Sequence, residues 1–379
     1  MKIEQRVWNE QQGWSLQDGS DIKNKVQLVI VFAAAQILKE KVFLKELKDM
    51  YPQAHLFGCS TAGEISGTSV FDDSLVATAI RFEKTRVMGA QIALGDPPDS
   101  FEAGKRLAQT LDREDLRHVF VLSDGLSVNG SDLVKGLVGH LPAGVTITGG
   151  LAGNGDRFEE TYVFWDDLPS RNTLAIAGLY GKHLKVGYGS MGGWDPFGPE
   201  RLITKSTGNL LYELDGKSAL DIYKKYLGEH AGGLPAAGLL FPLSIRTRTD
   251  ETGIVRTILG VNEKDKSMTF AGDIPEGSYA RFMKANFERL IDGASEAALR
   301  SRDGLAGRAP DLAILISCVG RKLVLKQRTE EEVEAVSEAL GASPVFTGFY
   351  SYGEISPFVT GAPCALHNQT MTITTFAEV

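Results

Sequence analysis

The stretch GCSTAGEIS at residues 58–66 decides the fold, because the chain contains nearly the same loop again as GFYSYGEIS at residues 348–356. Both copies begin with glycine, which permits close approach of the main chain to a bound group. Each copy ends in Gly-Glu-Ile-Ser, and this run contains Glu64 in the first copy and Glu354 in the second. The carboxylate of a glutamate accepts hydrogen bonds from ammonium, amide or hydroxyl groups. Two interpretations stay open: a tight turn whose glutamate bonds its own loop, or one lip of a ligand site.

The elements predicted around the two loops follow the same order. A continuous apolar run at residues 26–34, typical of a strand buried on both faces, is followed by a predicted helix at 36–50 and the first loop. A strand at 311–318, a helix at 329–340 and a strand at 345–349 precede the second loop. This order predicts an α/β fold with mixed sheets and layered helices, in two related domains that arose by duplication.

The densest turn-forming stretch, GSMGGWDPFGPE at residues 189–200, predicts a domain boundary or hinge. We therefore expect an N-terminal extension at 1–24, a first domain at 25–199 and a second at 200–379. Within the second domain, the apolar periodicity predicts a long amphipathic helix at 279–300.

Composition excludes several classes of protein. The chain has 379 residues, 43% of them hydrophobic, and a formal net charge of −8 without a basic cluster, which argues against a nucleic-acid partner. It has no apolar run of about 18 residues that could span a membrane. Three cysteines do not make a disulfide framework, and the first residues do not resemble a signal peptide. We expect a cytoplasmic protein.

Two further turns follow apolar strands: GGLAGNGD at residues 149–156 and SCVGRKL at residues 317–323. Ligands of α/β sheets gather outside the carboxyl ends of strands, so these turns and the two loops are expected to converge on one crevice. Arg321 could bind a ligand carboxylate with two hydrogen bonds, or it could pair internally with a glutamate such as Glu354.

The chain contains no G-x-S-x-G, no P-loop and no H-E-x-x-H motif, so we expect no enzyme of these classes. Its cysteines, Cys59, Cys318 and Cys364, all fall in the predicted loops. Buried free cysteines usually act as small apolar residues, but thiolates together with His367 could also hold a metal or an iron–sulfur cluster. A cysteine-dependent enzyme would need an activated thiolate, which sequence cannot place.

Several motifs resemble one known family. The stretch FGCSTAGEISG, with GGLAGNGD and GGWDPFGP, resembles the FIST N-terminal domain, and SCVGRKLVL, GFYSYGEISP and LHNQTMTITT resemble the FIST C-terminal domain. The resemblance implies a sensory module of bacterial and other signalling that acts beside histidine kinases, diguanylate cyclases or methyl-accepting proteins. It implies a small ligand, amino acids among them, and some members are heme proteins that respond to nitric oxide. Asn154 here replaces an aspartate of the family pattern.

We therefore expect a sensor that binds a small, amino-acid-like molecule between its two domains. No output domain is recognised in the sequence, so the resemblance implies a separate partner such as a histidine kinase or a cyclic-di-GMP enzyme, and a homodimer stays open. The residues expected to contact the ligand are Cys59, Ser60, Thr61, Glu64, Asn154, Trp194, Phe197, Cys318, Arg321, Tyr350, Ser351, Glu354 and Asn368.

The alternative is a heme or iron–sulfur sensor of nitric oxide. In that alternative His367 is the axial or metal ligand, and Cys318 and Cys364 are further candidate ligands. A cysteine-dependent enzyme is the third class.

Overall fold

Three pairs of parallel strands organise the chain. The computed structural model describes residues 1–19, 22, 25–96, 98–248, 253–359 and 361–379. Within this part of the chain, each parallel pair lies inside a six-stranded sheet, with an antiparallel return strand beside its first member. The same unit of structure therefore occurs three times, and we call the copies repeats 1, 2 and 3.

Repeat 1 spans residues 2–81. Its elements are β1 (Lys2–Asn9), β2 (Gly13–Gly19), β3 (Leu28–Ala33), α1 (Ala35–Glu40), α2 (Val42–Met50), β4 (His55–Ser60), β5 (Glu64–Ser66), β6 (Ser69–Phe71) and β7 (Leu75–Arg81). The helix predicted at 36–50 is two helices, because Lys41 adopts a left-handed conformation with φ 62°. Residues of the expected N-terminal extension form β1 and β2, and β1 pairs with β7 in the first sheet.

Repeat 2 spans residues 86–180 and follows the same order, except that a helix at Ser100–Thr110 stands in the place of β2. Its elements are β8 (Arg86–Ala93), α3 (Ser100–Thr110), β9 (Leu116–Ser123), α4 (Gly130–His140), β10 (Thr146–Leu151), β11 (Val163–Trp165) and β12 (Thr173–Tyr180). Side-chain caps begin both helices: Asp99 accepts a hydrogen bond from the amide of Glu102, and Asn129 accepts bonds from two amides of α4.

Repeat 3 begins with β13 (Leu184–Met191) and is then interrupted by residues 195–284, which we call the inserted unit. The inserted unit contains β14 (Asp195–Thr207), β15 (Leu210–Leu214), β16 (Lys217–Ser218), α5 (Ala219–Leu227), β17 (Leu243–Arg246), β18 (Ile254–Arg256), β19 (Ile258–Asn262), β20 (Ser267–Phe270) and β21 (Tyr279–Lys284). Its strands form a sheet of their own. The boundary expected at residue 200 falls inside β14.

After the inserted unit, repeat 3 resumes the common order. Its remaining elements are α6 (Phe287–Ser301), β22 (Leu312–Cys318), α7 (Val319–Leu325), α8 (Thr329–Leu340), β23 (Val345–Ser351), β24 (Gly353–Pro357), β25 (Cys364–His367) and β26 (Met371–Glu378). The long helix predicted at 279–300 is wrong in its first part. Residues 279–284 pair as β21 with β14 and β17, and Asn286 caps the start of α6 by accepting a bond from the amide of Arg289.

The three repeats exchange strands in a closed cycle. The strand that follows the loop of repeat 1, β5, pairs with β23 of repeat 3. The corresponding strand of repeat 3, β24, pairs with β10 of repeat 2, and β11 of repeat 2 pairs with β4 of repeat 1. Each sheet therefore contains a strand from another repeat, which ties the first and last parts of the chain together.

Helices cover the outer faces of these sheets, which confirms the predicted class of mixed α/β sheets with helices layered on them. Helix α6 packs on β13 and β26, and α3 packs on β8. Between the sheets lies a dense apolar core whose cavity, lined by Phe57, Phe120 and Phe376 among others, has a volume of only about 10 Å³. That volume is about the size of one water-sized probe, so the centre is filled by side chains. Of the helices described, none combines the length and apolar character needed to cross a bilayer.

Candidate ligand site beside the repeat junction

The loops of the three repeats bind one another directly at a place we call the repeat junction, residues 60–64, 150–155 and 350–354. The backbone bonds between them run from Ala62 N to Tyr350 O at 2.8 Å, from Tyr352 N to Leu151 O at 3.1 Å and from Gly153 N to Ser60 O at 2.9 Å. These bonds follow the same cyclic order as the strand exchange. The junction is therefore a closed ring of hydrogen bonds, with each loop donating to the next.

One glycine in each repeat fixes the alignment of the loops. A Cβ atom added to Gly58, Gly149 or Gly348 would overlap a backbone carbonyl oxygen of the facing parallel strand, so this position excludes a side chain in all three repeats. Counting from these glycines, Glu64 of repeat 1 corresponds to Glu354 of repeat 3. The stretch GGLAGNGD is thus the third copy of the loop, and it lacks the glutamate.

Both glutamates have their carboxyl oxygens occupied by their own repeat. Glu64 is buried; one oxygen accepts a bond from the hydroxyl of Thr61, and the other accepts bonds from Ser74 N at 3.1 Å and Ser74 Oγ at 2.7 Å. Glu354 repeats this pattern in full. Burial raises the pKa of Glu64 to about 7 and that of Glu354 to about 8, although the hydrogen bonds that each accepts act in the opposite direction.

The partners of Glu354 are Ser351 and Thr370. Oε1 accepts a bond from Ser351 Oγ at 2.7 Å, and Oε2 accepts bonds from Thr370 N at 3.2 Å and Thr370 Oγ1 at 2.9 Å. In repeats 1 and 3 the glutamate therefore holds the turn that starts the return strand, β7 or β26.

Arg321 is also fully engaged within the protein. Its buried guanidinium donates two bonds to Glu332 Oε2, at 2.9 and 2.7 Å, and further bonds to Gly192 O at 2.5 Å and Leu290 O at 2.8 Å. The other oxygen of Glu332 accepts a bond from Tyr350 Oη at 2.7 Å. Of the alternatives open for Arg321, the structure shows the internal pair, with Glu332 in place of Glu354.

Other expected contact residues lie in the junction, at the entrance of the inserted unit or within that unit. Ser60 Oγ accepts a bond from the amide of Tyr162, and Asn154 Oδ1 accepts one from Arg157 Nε at 3.0 Å. Trp194 donates from Nε1 to Gln369 O at 2.8 Å. Phe197 lies away from the junction and packs in the core of the inserted unit with other aromatic rings, those of Tyr226, Phe241 and Phe282.

Of the candidate metal-ligating residues, His367 and Cys318 are buried and Cys364 is partly exposed. Nε2 of His367 donates to Ser356 O at 2.8 Å, and burial lowers the pKa of this histidine to about 4. An axial heme ligand on a ring buried among protein atoms in this way would require the surrounding turn to open, so the arrangement does not fit a heme. Within the described ranges, no group of three or more His, Cys, Asp or Glu side chains is placed to hold a metal ion.

The cysteines show no activation. Burial raises the pKa of the thiols of Cys59, Cys318 and Cys364 above its ordinary value. Each is therefore a thiol at neutral pH, whereas nucleophilic attack and metal binding use the thiolate.

Asn368 is the exception among the expected contact residues. Its side chain is 1% exposed, yet neither Oδ1 nor Nδ2 has a hydrogen-bond partner among the residues that the structure describes. It lies in the turn between β25 and β26, where Nδ2 is 3.6 Å from the position that a Cβ atom on Gly353 of the junction would occupy. An unpaired buried amide costs about 1–3 kcal/mol, so this group requires a partner.

Sequence reasoning missed Arg256, which reaches the same turn from β18 of the inserted unit. Its side chain is buried; Nη1 donates to Leu366 O at 2.9 Å and Nε donates to Asp273 O at 3.3 Å. Burial lowers the pKa of Arg256 to about 10, so it stays charged at neutral pH. Nothing in the stretch around Arg256 distinguishes it from an ordinary strand residue, because its partners are distant in sequence.

Comparisons with known proteins agree with this arrangement of motifs. The family model described as the FIST N domain matches residues 27–217, and the model described as the FIST C domain matches residues 219–357. The chain belongs to the FIST family. FIST domains are associated with sensing in signal transduction, which is consistent with a protein that is not an enzyme.

Relatives of this FIST protein include an uncharacterized protein of Methanocaldococcus jannaschii, 23% identical over 89% of this chain and 68% of the relative. An uncharacterized protein of Mycobacterium tuberculosis is 24% identical over 86% of this chain and 84% of the relative. Among solved structures, a cyanuric acid hydrolase from A. caulinodans aligns over 93% of this chain and 90% of its own length, with a TM-score of 0.37 and 8% sequence identity.

Proposed function

We propose that this FIST protein is a sensor whose small-molecule ligand binds between the inserted unit and the three repeats, and whose ligand-induced closure is passed to a separate signalling partner. A histidine kinase or a diguanylate cyclase is the class of partner that fits the family. The observation that carries the proposal is the unpaired Asn368 amide beneath the inserted unit.

The connection of the inserted unit to the repeats suits a hinge. The chain enters it after Trp194 and leaves it before Asn286, and the two crossings are adjacent because Asp195 pairs with Lys284. The unit has an apolar core of its own, formed by Ile203 and other buried residues of its sheet and of α5. A unit with its own core and two adjacent connections can rotate as a rigid body.

Polar contacts across the interface provide a way to favour one position of the unit. Asp273 of the inserted unit accepts bonds from Asn129 Nδ2 and Lys135 Nζ of repeat 2, both at 3.0 Å. Gln369 Nε2 of repeat 3 donates to Leu239 O of the inserted unit at 3.4 Å. A ligand that binds the closed arrangement more tightly than the open one shifts the population toward closure.

The test combines a binding screen with a measurement of shape. A panel of amino acids and metabolites is screened by thermal shift, since a ligand that binds only the folded protein raises its stability by RT ln(1 + [L]/Kd). Each hit is followed by small-angle X-ray scattering, in which a smaller radius of gyration is expected with ligand. A second measurement asks whether the hit changes autophosphorylation of a candidate kinase only when this protein is present.

A matched variant separates closure from binding. Lys135→Met removes one contact to Asp273 and should favour the open arrangement, giving a larger radius of gyration without ligand. Lys105→Met removes an exposed pair with Glu102 on the surface of α3 and should leave the radius unchanged. A panel without hits, or hits that leave both the scattering curve and the kinase unaffected, would contradict the proposal.

A further inference from the structure

We infer that the ligand of this site carries a carboxylate group, which Arg256 of the inserted unit and Asn368 of repeat 3 bind together. The inference rests on the proposed function and assigns the chemistry of its site. The donors of Arg321 are already bonded to Glu332 and to two backbone carbonyls. We therefore assign carboxylate recognition to an arginine of the inserted unit and not to Arg321.

The first observation is the buried charge of Arg256. Within the described ranges, no carboxylate oxygen lies within 4 Å of its guanidinium nitrogens, and its bonds go to the backbone oxygens of Leu366 and Asp273. The carboxylate of Asp273, the residue whose backbone oxygen accepts the bond from Arg256 Nε, is bonded to Asn129 and Lys135 and acts on the guanidinium through its charge without a direct ion pair. Buried charges in proteins are normally paired, so a buried guanidinium that meets only neutral carbonyls is suited to receive an anion.

Glu354 does not supply that anion. Its carboxyl group is within electrostatic range of Arg256, but its oxygens are bonded to Ser351 and Thr370. Burial raises the pKa of Glu354 to about 8, which favours its neutral form, and the group makes no ion pair with Arg256.

The second observation is independent of charge and concerns the amide of Asn368. Asparagine offers two N–H donors and an acceptor oxygen, and here all of them lack a partner among the described residues. Beside it Gln369, which is also fully buried, has an unpartnered Oε1. The turn therefore presents donors that can complete the hydrogen bonds of a bound carboxylate, and acceptors for a further group of the ligand.

Leu366 shows that the two groups are neighbours. Its carbonyl oxygen accepts the bond from Arg256 Nη1. A Cβ atom added to Gly272 would lie 2.8 Å from Arg256 Nε and close to one methyl group of Leu366. A Cβ atom added to Gly353 would lie close to the other methyl group of Leu366 and 3.6 Å from Asn368 Nδ2. Arg256 and Asn368 thus flank one leucine. In the proposed complex one carboxylate oxygen accepts from Arg256 and the other accepts from Asn368, through charge-assisted bonds of about 2.8 Å.

Repeat 1 shows that the same turn position can bind a charged group. Asp73 and Gln369 both have a left-handed conformation and both lie two residues before the start of the return strand. Asp72 therefore occupies the position in repeat 1 that Asn368 occupies in repeat 3. Asp72 forms an ion pair with Lys322, whose ammonium also donates to Ala62 O at 3.0 Å. In repeat 1 the turn is anionic and binds a cation, whereas in repeat 3 it is neutral and lies beside a buried cation. The complementary group for repeat 3 is an anion.

The experiment compares acetate and propionate with their neutral isosteres, acetamide and propionamide, at constant ionic strength. Binding to the full chain is measured by saturation-transfer NMR. We expect both carboxylates to bind and both amides to bind at least tenfold more weakly. Arg256→Gln removes the charge and should weaken acetate binding about 10- to 100-fold, the effect expected for a hydrogen bond to a charged group.

Two further variants guard against misfolding and unspecific charge effects. Asn368→Leu removes both unpaired polar atoms at similar volume; it should weaken acetate binding about tenfold while leaving thermal unfolding of the unliganded protein unchanged or at higher temperature. Arg201→Gln, in the same unit, removes a guanidinium that is already paired with Asp215 and should leave acetate binding unchanged. If Arg256→Gln does not fold, the result for Asn368→Leu decides.

The outcomes separate this inference from the proposed function. Equal affinity for acetate and acetamide, or acetate binding unchanged in both Arg256→Gln and Asn368→Leu, overturns the carboxylate site. If a ligand without a carboxylate induces closure and binds Arg256→Gln as tightly as the original protein, the inference fails while the proposed function stands. If no compound of either panel binds, both fail.

Discussion

The buried pair of Arg321 and Glu332 makes the sharpest prediction about stability. Arg321 joins α7 to α8, to the backbone of α6 at Leu290, and to Gly192 at the entrance of the inserted unit. Both side chains of the pair have a relative exposure of 0%. Arg321→Met removes every one of these bonds and leaves the Glu332 carboxylate buried with only the neutral donors Ser317 and Tyr350.

The expected cost follows from this geometry. Removing one partner of a buried ion pair destabilises a protein by about 3–5 kcal/mol, because the remaining charge is uncompensated. With an unfolding entropy of about 2.1 cal/mol/K per residue, 1 kcal/mol shifts the unfolding temperature of a 379-residue chain by roughly 1.3 °C, so this temperature should fall by about 4–6 °C. Arg300→Met breaks the more exposed pair with Glu296 on α6 and should cost less than about 1 kcal/mol.

Differential scanning calorimetry of the two variants and of the double variant Arg321→Met/Glu332→Gln tests the reasoning. Glutamine removes the buried charge but keeps an oxygen that can accept the bonds of Ser317 and Tyr350, so the double variant should be more stable than Arg321→Met alone. A loss below about 1 kcal/mol for Arg321→Met, or a double variant less stable than this single one, would refute the account of Arg321 as the partner that compensates Glu332.

Three further predictions concern the repeat junction and the strands that lead into it. Because the pKa of Glu354 is raised to about 8, the folded protein binds more protons at this residue than the unfolded protein does between about pH 4.5 and 8. The free energy of unfolding should therefore fall as pH rises through this window, by up to about 1.4 kcal/mol per pH unit. Thermal unfolding of Glu354→Gln should lack this part of the pH dependence. Gly348→Ala places a Cβ on the carbonyl oxygen of Leu315 and should destabilise the protein by at least about 1–3 kcal/mol, whereas Gly139→Ala, in open space on α4, should stabilise it by about 0.5–1 kcal/mol in the same urea titration. Cys59 and Cys318 are buried thiols and should react with a thiol reagent at neutral pH far more slowly in the native than in the unfolded protein; rapid labelling of either would contradict the raised pKa values.

Sequence predicted those parts of the fold that depend on local pattern. The apolar runs at β3 and β22 correctly indicated buried strands, and the copied loops indicated a repeated α/β plan. The third copy escaped notice because its loop, GGLAGNGD, lacks the glutamate. In repeat 2 the carboxylate comes instead from Asp124, at the end of β9, which accepts bonds from Thr161 Oγ1 at 2.7 Å and from the amide of Asn172 at 3.2 Å. Because the carboxylate that bonds the turn before the return strand comes from a different strand in repeat 2, comparison of the loop sequences does not reveal it.

The site itself was less accessible to sequence reasoning, because its partners are set by long-range pairing. The strand exchange depends on β5, a segment of three residues, finding β23 near the other end of the chain. Arg321 could be recognised as a cation near a strand end, but Glu332 lies on a helix whose three consecutive glutamates look alike in sequence. Asn368 was among the expected contacts. Arg256 was not, because its contact with the turn depends on the position of the inserted unit, which the sequence does not indicate.

The division of labour between the repeats and the inserted unit explains why the motifs that mark the family say little about its ligand. The loops of the junction bond to one another in a ring, and both glutamates are occupied by hydroxyl and amide groups of their own repeat. Such a ring cannot open without breaking several buried bonds, which makes it a fixed base. Ligand chemistry and motion are then left to the turn at Asn368 and to the unit that covers it. We therefore expect relatives with the same loops but different residues at Arg256 to share this base and to differ in the charge of the ligand they bind.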